Sequence, residues 1–477
     1  MYKTILSTAL LFFVFTSLVF AKPSADVCIL GSGAVGASAA VFLKDKGYEP
    51  VIFELQPRFG GNCDTINFTP PPGEPVNWID IGVAAVINGT WANQNNLGSW
   101  IDTVAFAQRF GGSNIALPFG QGGGFPYFIN FNDGQFVLNY PFDPVTYSQT
   151  LQQWIGLIFT TYPWANMAYY DGPIDADLAG DFYTFAQQYN LFPITLAINI
   201  AGYVSGTAYG NYTNIPAFNM VTGMSPVNIL SIINPSPGSA FTFNGGCQKV
   251  YDGIYNYIGS ENVFLGAEVV KAKRHDHHVT LTINQNNEKF KYRCDHLLVA
   301  FTPSLKNVEF LDPDTEETEI FRDVEINYYY TGTANVTGGS LQNQAFNIFN
   351  ADPASAFFTP FDASAISIGR GVPYGPAAFL GISPVYRTPQ EMQTIIQQQL
   401  NNIPSSLLTT ATNFVFRHAG YAGYFTFNAL AKSVSPYAKL TALQGHLSTY
   451  WLSSLNLQVP STAHSWDRAF KFVGQYF

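Results

Sequence analysis

Charge is scarce in this chain: only 11% of its 477 residues are Asp, Glu, Lys or Arg, where a soluble protein carries roughly 25%. The charges sum to −10 with no Lys/Arg-rich run, so the footprint of a nucleic-acid partner is absent. Histidine is limited to seven residues and cysteine to four. Cys28, Cys63, Cys247 and Cys294 have no metal-ligand spacing, so no metal is expected, and they are too few for a disulfide scaffold. Cys28 falls in an apolar strand and is expected as a buried thiol; the oxidation state of the cysteines is otherwise open. There is no His-Glu-x-x-His helix, Gly-x-Ser-x-Gly elbow or P-loop, which leaves hydrolase readings without an anchor. Past the first residues no apolar run reaches membrane-spanning length, because Pro193 and Asn199 interrupt the best stretch.

What the chain does have is apolar surface. Hydrophobic residues make up 47% and aromatics 16%, enough to exclude disorder and to build two or three domains or one large composite. Near the start, Lys3 precedes an apolar run over 5–20, and Val19-Phe20-Ala21 offers small residues at the −3 and −1 positions of a cleavage site. This predicts a signal peptide over 1–21, cleaved after Ala21, and a secreted protein. The alternative, an uncleaved membrane anchor, meets a run shorter than the roughly 20 residues a span needs. Asn-x-Ser/Thr sequons at Asn67, Asn88, Asn211 and Asn335 fit passage through a glycosylating pathway.

One motif is specific. A strand, Asp26-Val27-Cys28-Ile29-Leu30, runs into Gly31-Ser32-Gly33-Ala34-Val35-Gly36, and a small-residue helix follows to Lys46. Gly47 ends that helix, and a second strand, Pro50-Val51-Ile52-Phe53, leads to Glu54, 18 positions after Gly36. Strand, G-x-G-x-x-G, helix, strand and acid together make the dinucleotide-binding fingerprint. Gly31 allows the tight turn, Gly33 lets backbone N–H groups approach a pyrophosphate, and Gly36 lets helix and strand pack closely. The helix N-terminus adds partial positive charge, and Glu54 is placed to accept hydrogen bonds from an adenosine ribose.

Arg58-Phe59-Gly60-Gly61-Asn62 follows, and here the chain resembles the flavin-dependent amine oxidase superfamily. The resemblance implies FAD, with Arg58, Gly60, Gly61 and Asn62 along its pyrophosphate and ribityl chain. Asn62 stands where the family usually has Arg. Trp78-Ile79-Asp80-Ile81-Gly82-Val83 resembles the segment whose backbone, at Gly82, borders the isoalloxazine ring. Gly266-Ala267-Glu268-Val269-Val270 resembles the strand covering the adenine, with Val269 offering backbone hydrogen bonds. Leu443-Gln444-Gly445, Thr449-Tyr450-Trp451 and the stretch from Trp466 to Phe477, with Tyr209 to Ala217 earlier, resemble the branch that contains the bacterial polyunsaturated fatty acid isomerase. The implied fold is α/β: a Rossmann-like FAD-binding domain over 22–100, 240–305 and 413–477, with an interleaved α+β substrate domain over 101–239 and 306–412.

Two departures from the family stand out. Ser453-Ser454-Leu455 replaces the usual Gly-Glu, and Tyr127 stands where the isomerase branch has an Arg that holds the fatty-acid carboxylate. The function expected is that of a secreted FAD-dependent oxidoreductase. It would take a hydride from a C–H bond of a small-molecule substrate, an amine or an unsaturated lipid, as an oxidase or a redox-neutral isomerase. The alternative is a catalytically silent secreted binding protein on the retained fold. Catalytic residues are not assigned: His418, His446 and His464 are read as structural or surface groups, and His275, His277 and His278 as a solvated hairpin. Ser461-Thr462 is a candidate N-cap that either faces the flavin, where it would stabilise negative charge near N1 and C2=O, or merely caps a terminal packing helix.

Overall fold

A computed structural model describes residues 24–477 except 84, 117–126, 138–143, 168, 193–214, 234–235, 352–362 and 458–460. The expected signal peptide and Asn211 therefore lie outside the described residues.

The first sheet forms as the fingerprint predicts. β1 (Ser24–Leu30) pairs in parallel with β2 (Pro50–Glu54) on one side and β7 (Glu288–Val299) on the other. Beyond β2 lies β4 (Val263–Leu265), and β13 (Thr449–Trp451) pairs with β7, both in parallel. A hairpin, β5 (Ala267–His275) and β6 (His278–Gln285), extends the sheet through β7. Strands β1 and β2 are apolar on both faces because both are covered. Cys28, Leu30, Val51 and Phe53 enter one core, and Val27, Ile29 and Ile52 enter the other. Helices Ala34–Asp45, Gln248–Ile258 and Thr462–Tyr476 contribute Val41, Ile254 and Trp466 to the second core.

The stretch 263–272, which reads as one strand, is two: Gly266 adopts φ +64° and separates β4 from β5. The β6–β7 turn uses Asn286 and Asn287 at φ 52° and 66°, as a two-residue hairpin loop requires.

The second sheet has the order β12 (Thr409–Phe425), β8 (Val324–Thr337), β11 (Ala377–Ser383), β10 (Ser364–Arg370), β9 (Phe346–Asn350) and β3 (Tyr127–Ile129). One face packs on helix Pro389–Asn401 through Met392, Ile396 and Leu400. The other face carries Tyr329, Phe349, Ile366 and Leu380. The boundary expected at 413 falls inside β12, which pairs with β8 from Val324↔Phe425 to Thr337↔Thr409. By hydrogen bonding, residues up to 425 belong to the second sheet.

All four cysteines are paired, Cys28 with Cys294 and Cys63 with Cys247. The expectation of a buried Cys28 thiol is corrected: burial was right, but Cys28 is bonded to Cys294 of the neighbouring strand β7, with the two Cα atoms 5.7 Å apart. Each bridge ties the first segment of the dinucleotide domain to the second.

Candidate functional site

A cavity of about 1050 Å³ runs from the carboxyl ends of β1 and β2 to the open face of the second sheet. That is the upper end for ligand sites, roughly 300–1,000 Å³, and it lies where open α/β sheets bind dinucleotides.

Its first part is built from backbone. Gly31 turns at φ +103° while its N–H donates to the Phe53 carbonyl at 2.9 Å. Gly33 precedes helix Ala34–Asp45 without any side-chain cap, so the first-turn N–H groups open on the cavity, which Gly33, Ala34 and Val35 line. Gly36 stands behind them, where a Cβ would lie 2.0 Å from the Gly31 carbonyl oxygen. Gly60 and Gly61 form the facing loop, with φ +111° and +58°, and a Cβ on Gly61 would lie 2.6 Å from the Gly33 Cα. The two glycine loops thus touch backbone to backbone. This cradle, which side chains would fill, fits the pyrophosphate of FAD.

At the adenosine end, Glu54 is buried and lines the cavity. Its Oε2 accepts from the Ser32 amide at 2.7 Å and the Ser32 hydroxyl at 2.8 Å, and its Oε1 accepts from the Gln56 amide at 2.7 Å. Ser32 is a spacer behind the wall whose hydroxyl also accepts from the Gly60 amide at 3.3 Å. Val269 lines the cavity beside Ala267, next to a register shift in β5.

Arg58 is not in the cavity wall. Its guanidinium turns into its own loop, donating to the carbonyls of Gly61 and Cys63, with Cys63 at 2.5 Å, and to the Gln248 side chain at 3.0 Å. Asn62 and Gly82 do line the cavity and pack together, a Cβ on Gly82 falling 1.8 Å from the Asn62 carbonyl oxygen. Beside them Asp80 accepts from the Thr65 hydroxyl at 2.5 Å and the Cys247 amide at 3.1 Å. Burial pushes its carboxyl up to about 6.

Where the family has a glutamate, this chain presents hydroxyls. Ser454 and Thr302 share a hydrogen bond of 2.6 Å at the cavity wall, and Ser461, Thr462 and Ser465 face it from the start of helix Thr462–Tyr476. Ser461 caps that helix at the His464 amide and meets the His464 Nδ1 at 2.6 Å. Desolvation lowers the His464 pKa to about 3, so the ring is a neutral packing group. His446 pairs with Asp314 at the surface, and His275 and His277 are exposed. His418 lies in β12, opposite Tyr330.

The far wall is the open face of the second sheet: Tyr329, Thr331, Asn347, Phe349, Ser367 and Leu380. Sequence reasoning missed these residues, because they come from four strands whose order no local pattern reveals. Tyr127 is not among the lining residues; it pairs with Ile348. The only cationic residue among the described ones in the wall is Arg370, and its guanidinium is engaged by carbonyls of Leu341, Gln342 and Gln344, the last at 2.9 and 3.0 Å. Among the described residues no His/Cys/Asp/Glu cluster able to hold a metal occurs, and no helix is long and apolar enough to cross a membrane.

Residues 29–102 match the NAD(P)-binding Rossmann-like domain family. Uncharacterized protein R656 of Acanthamoeba polyphaga mimivirus is 37% identical over 470 residues, covering 96% of this chain and 94% of R656. The FAD-dependent oxidoreductase dpchF of Colletotrichum higginsianum is 24% identical over 470 residues, covering 92% and 91%. In fold, the chain matches the CLA-producing fatty acid isomerase from P. acnes with a TM-score of 0.72 at 16% identity, over 95% of this chain and 99% of that one. Cyclohexylamine oxidase from Brevibacterium oxydans IH-35A gives 0.59 at 18% identity, over 95% and 98%.

Proposed function

Starting from a chain that belongs to the family of mimivirus protein R656 and is an FAD-dependent oxidoreductase of amine-oxidase-like fold, we propose that it oxidises a small lipophilic substrate. The bond broken is a C–H bond beside an amine nitrogen or a carbon–carbon double bond. Bound FAD supplies the hydride-accepting N5. The protein's part is to hold and orient. The glycine loops and the start of helix Ala34–Asp45 would take the pyrophosphate, Glu54 the ribose, and Ser461 and Thr462 the flavin end. Tyr329, Phe349 and Leu380 would pack an apolar substrate, while Asn347 and Ser367 offer neutral hydrogen bonds.

The observation that carries this reading is the charge of the wall. Among its described residues the wall holds a single cationic side chain, Arg370, and its Nε and Nη2 are already engaged by backbone carbonyls. An ionised acid buried there would have only the remaining donors of that one guanidinium, and a poorly paired buried charge costs several kcal/mol; a neutral substrate avoids that cost. This favours oxidation over isomerisation of a free fatty acid, and the FAD-dependent oxidoreductases among its relatives leave the silent-scaffold alternative without support. Secretion belongs to the same proposal. Besides the amino-terminal pattern, the use of all four cysteines in two buried bridges supports an oxidising compartment.

The test is anaerobic mixing of the purified yellow protein with a panel of hydrophobic amines, neutral unsaturated lipids and linoleate. Flavin bleaching by an amine or neutral lipid, reversed by oxygen, is the expected result. Conjugated-diene formation from linoleate without net bleaching would replace oxidation by isomerisation.

A further inference from the structure

The phosphate end of the cavity has an unusual charge economy. Pyrophosphate is dianionic, yet among the described residues no Lys or Arg side chain is aimed at it. Arg58 is spent on carbonyls of its own loop, Asn62 is neutral, and Lys is absent from the wall. Grip must then come from backbone N–H groups, whose strength depends on how well they are held in place before the ligand arrives.

The Gly60–Gly61 loop is held from behind. Cys63 lines the cavity two residues after Gly61 and is bonded to Cys247, at the start of helix Gln248–Ile258. Around that bridge, Gln248 donates to the Phe59 carbonyl at 3.0 Å, Thr65 accepts from the Gln248 amide at 3.1 Å, and Asp80 accepts from the Cys247 amide. Both cysteines are buried. The other bridge, Cys28–Cys294, joins strands β1 and β7, and neither of its cysteines lines the cavity.

We propose that the Cys63–Cys247 disulfide is a positioning element for the cofactor, clamping the Gly60–Gly61 loop against the Gly31–Gly36 loop so that backbone amides do the work of a cationic side chain. The inference rests on FAD binding and is independent of the substrate. Opening the bridge frees the loop, and the order of one to two residues must then be restored on binding, so FAD affinity falls by about 10- to 100-fold.

The test compares Cys63→Ala/Cys247→Ala with Cys28→Ala/Cys294→Ala in the full-length apoprotein, reading FAD affinity by flavin fluorescence and fold by circular dichroism. Loss of at least about tenfold in the first variant, against less than about threefold in the second, is expected. Equal affinity in all three proteins overturns the proposal, and so does an equal loss in both variants, which would mark a general stability effect. If the first variant does not fold, the unsubstituted holoprotein is treated with dithiothreitol, and flavin release is followed beside differential alkylation of each cysteine pair. Release that keeps pace with opening of Cys63–Cys247 supports the clamp; flavin retained after that bridge has opened refutes it. Failure of the unsubstituted protein to bind FAD would instead strike the cofactor assignment itself.

Discussion

Replacing Gly61 by alanine separates two costs that the structure makes distinct. Gly61 sits at φ +58°, a left-handed conformation that costs a residue with a side chain about 1–2 kcal/mol. The added methyl would also stand 2.6 Å from the Gly33 Cα, whereas carbon atoms in contact prefer about 3.5–4 Å, so the loops must part by about 1 Å. Parting them widens the pyrophosphate cradle and weakens one hydrogen bond to a charged group, worth about 1.5–3 kcal/mol. FAD affinity should fall by about 10- to 100-fold. Gly47 is the control. It has φ +92°, and an added methyl there would meet no atom within 4 Å. Gly47→Ala therefore carries the backbone cost alone, about 1 kcal/mol of stability, with FAD affinity unchanged. Fluorescence titration of the apoproteins, paired with thermal unfolding with and without FAD, reads both effects. If Gly61→Ala lost only stability and bound FAD like Gly47→Ala, the facing glycine loops would not be the cofactor cradle.

Glu54→Gln keeps the shape of the Ser32 contact but removes its charge, so FAD affinity should drop about tenfold; calorimetric titration showing no change would remove Glu54 from the adenosine end. Asp80, with its carboxyl raised to about 6 from 3.8, holds its proton more tightly folded than unfolded. It therefore costs nothing below about pH 4 and destabilises the fold as pH rises through about 6, by up to about 3 kcal/mol. Asp80→Asn should accordingly gain stability relative to the parent between about pH 4 and pH 7, and a pH-independent difference in urea midpoints would contradict the assignment. In a glycosylating host, Asn67 and Asn335, both exposed, should carry glycans, while Asn88, whose Nδ2 donates to the Gly238 carbonyl at 3.0 Å, should not. Glycopeptide mass spectrometry with full occupancy at Asn88 would reverse that ranking.

What could be read from sequence was what is local in sequence. The run from β1 through Gly31, Gly33 and Gly36 to Glu54 encodes its own geometry, because each glycine answers a steric demand within a few residues. Arg58 was legible as a residue but not as a contact, since a guanidinium serves a phosphate and a ring of carbonyls equally well. Cys28 was correctly read as buried, yet its partner lies 266 residues away and depends on which strand joins β1. The same holds for Tyr329, Phe349 and Leu380, which meet only once β8, β9 and β11 have found their order. β12 was divided at 413 because the resemblance placed the return to the first domain there, whereas the strand's ladder with β8 runs on to Phe425.

The placement of β1 in the middle of its sheet has a consequence for biosynthesis. Ser24 pairs with Arg293, so at ribosomal speeds of about 5–20 residues per second one edge of β1 stays open for roughly 15 to 50 seconds. For most of that interval, until Cys247 follows, the only thiols to have emerged are Cys28 and Cys63, and neither belongs with the other. If the chain is made in an oxidising compartment, as proposed, any bond between them before Cys247 appears would be non-native. Productive folding therefore requires both thiols to wait, or a thiol–disulfide exchange catalyst to undo the premature bond.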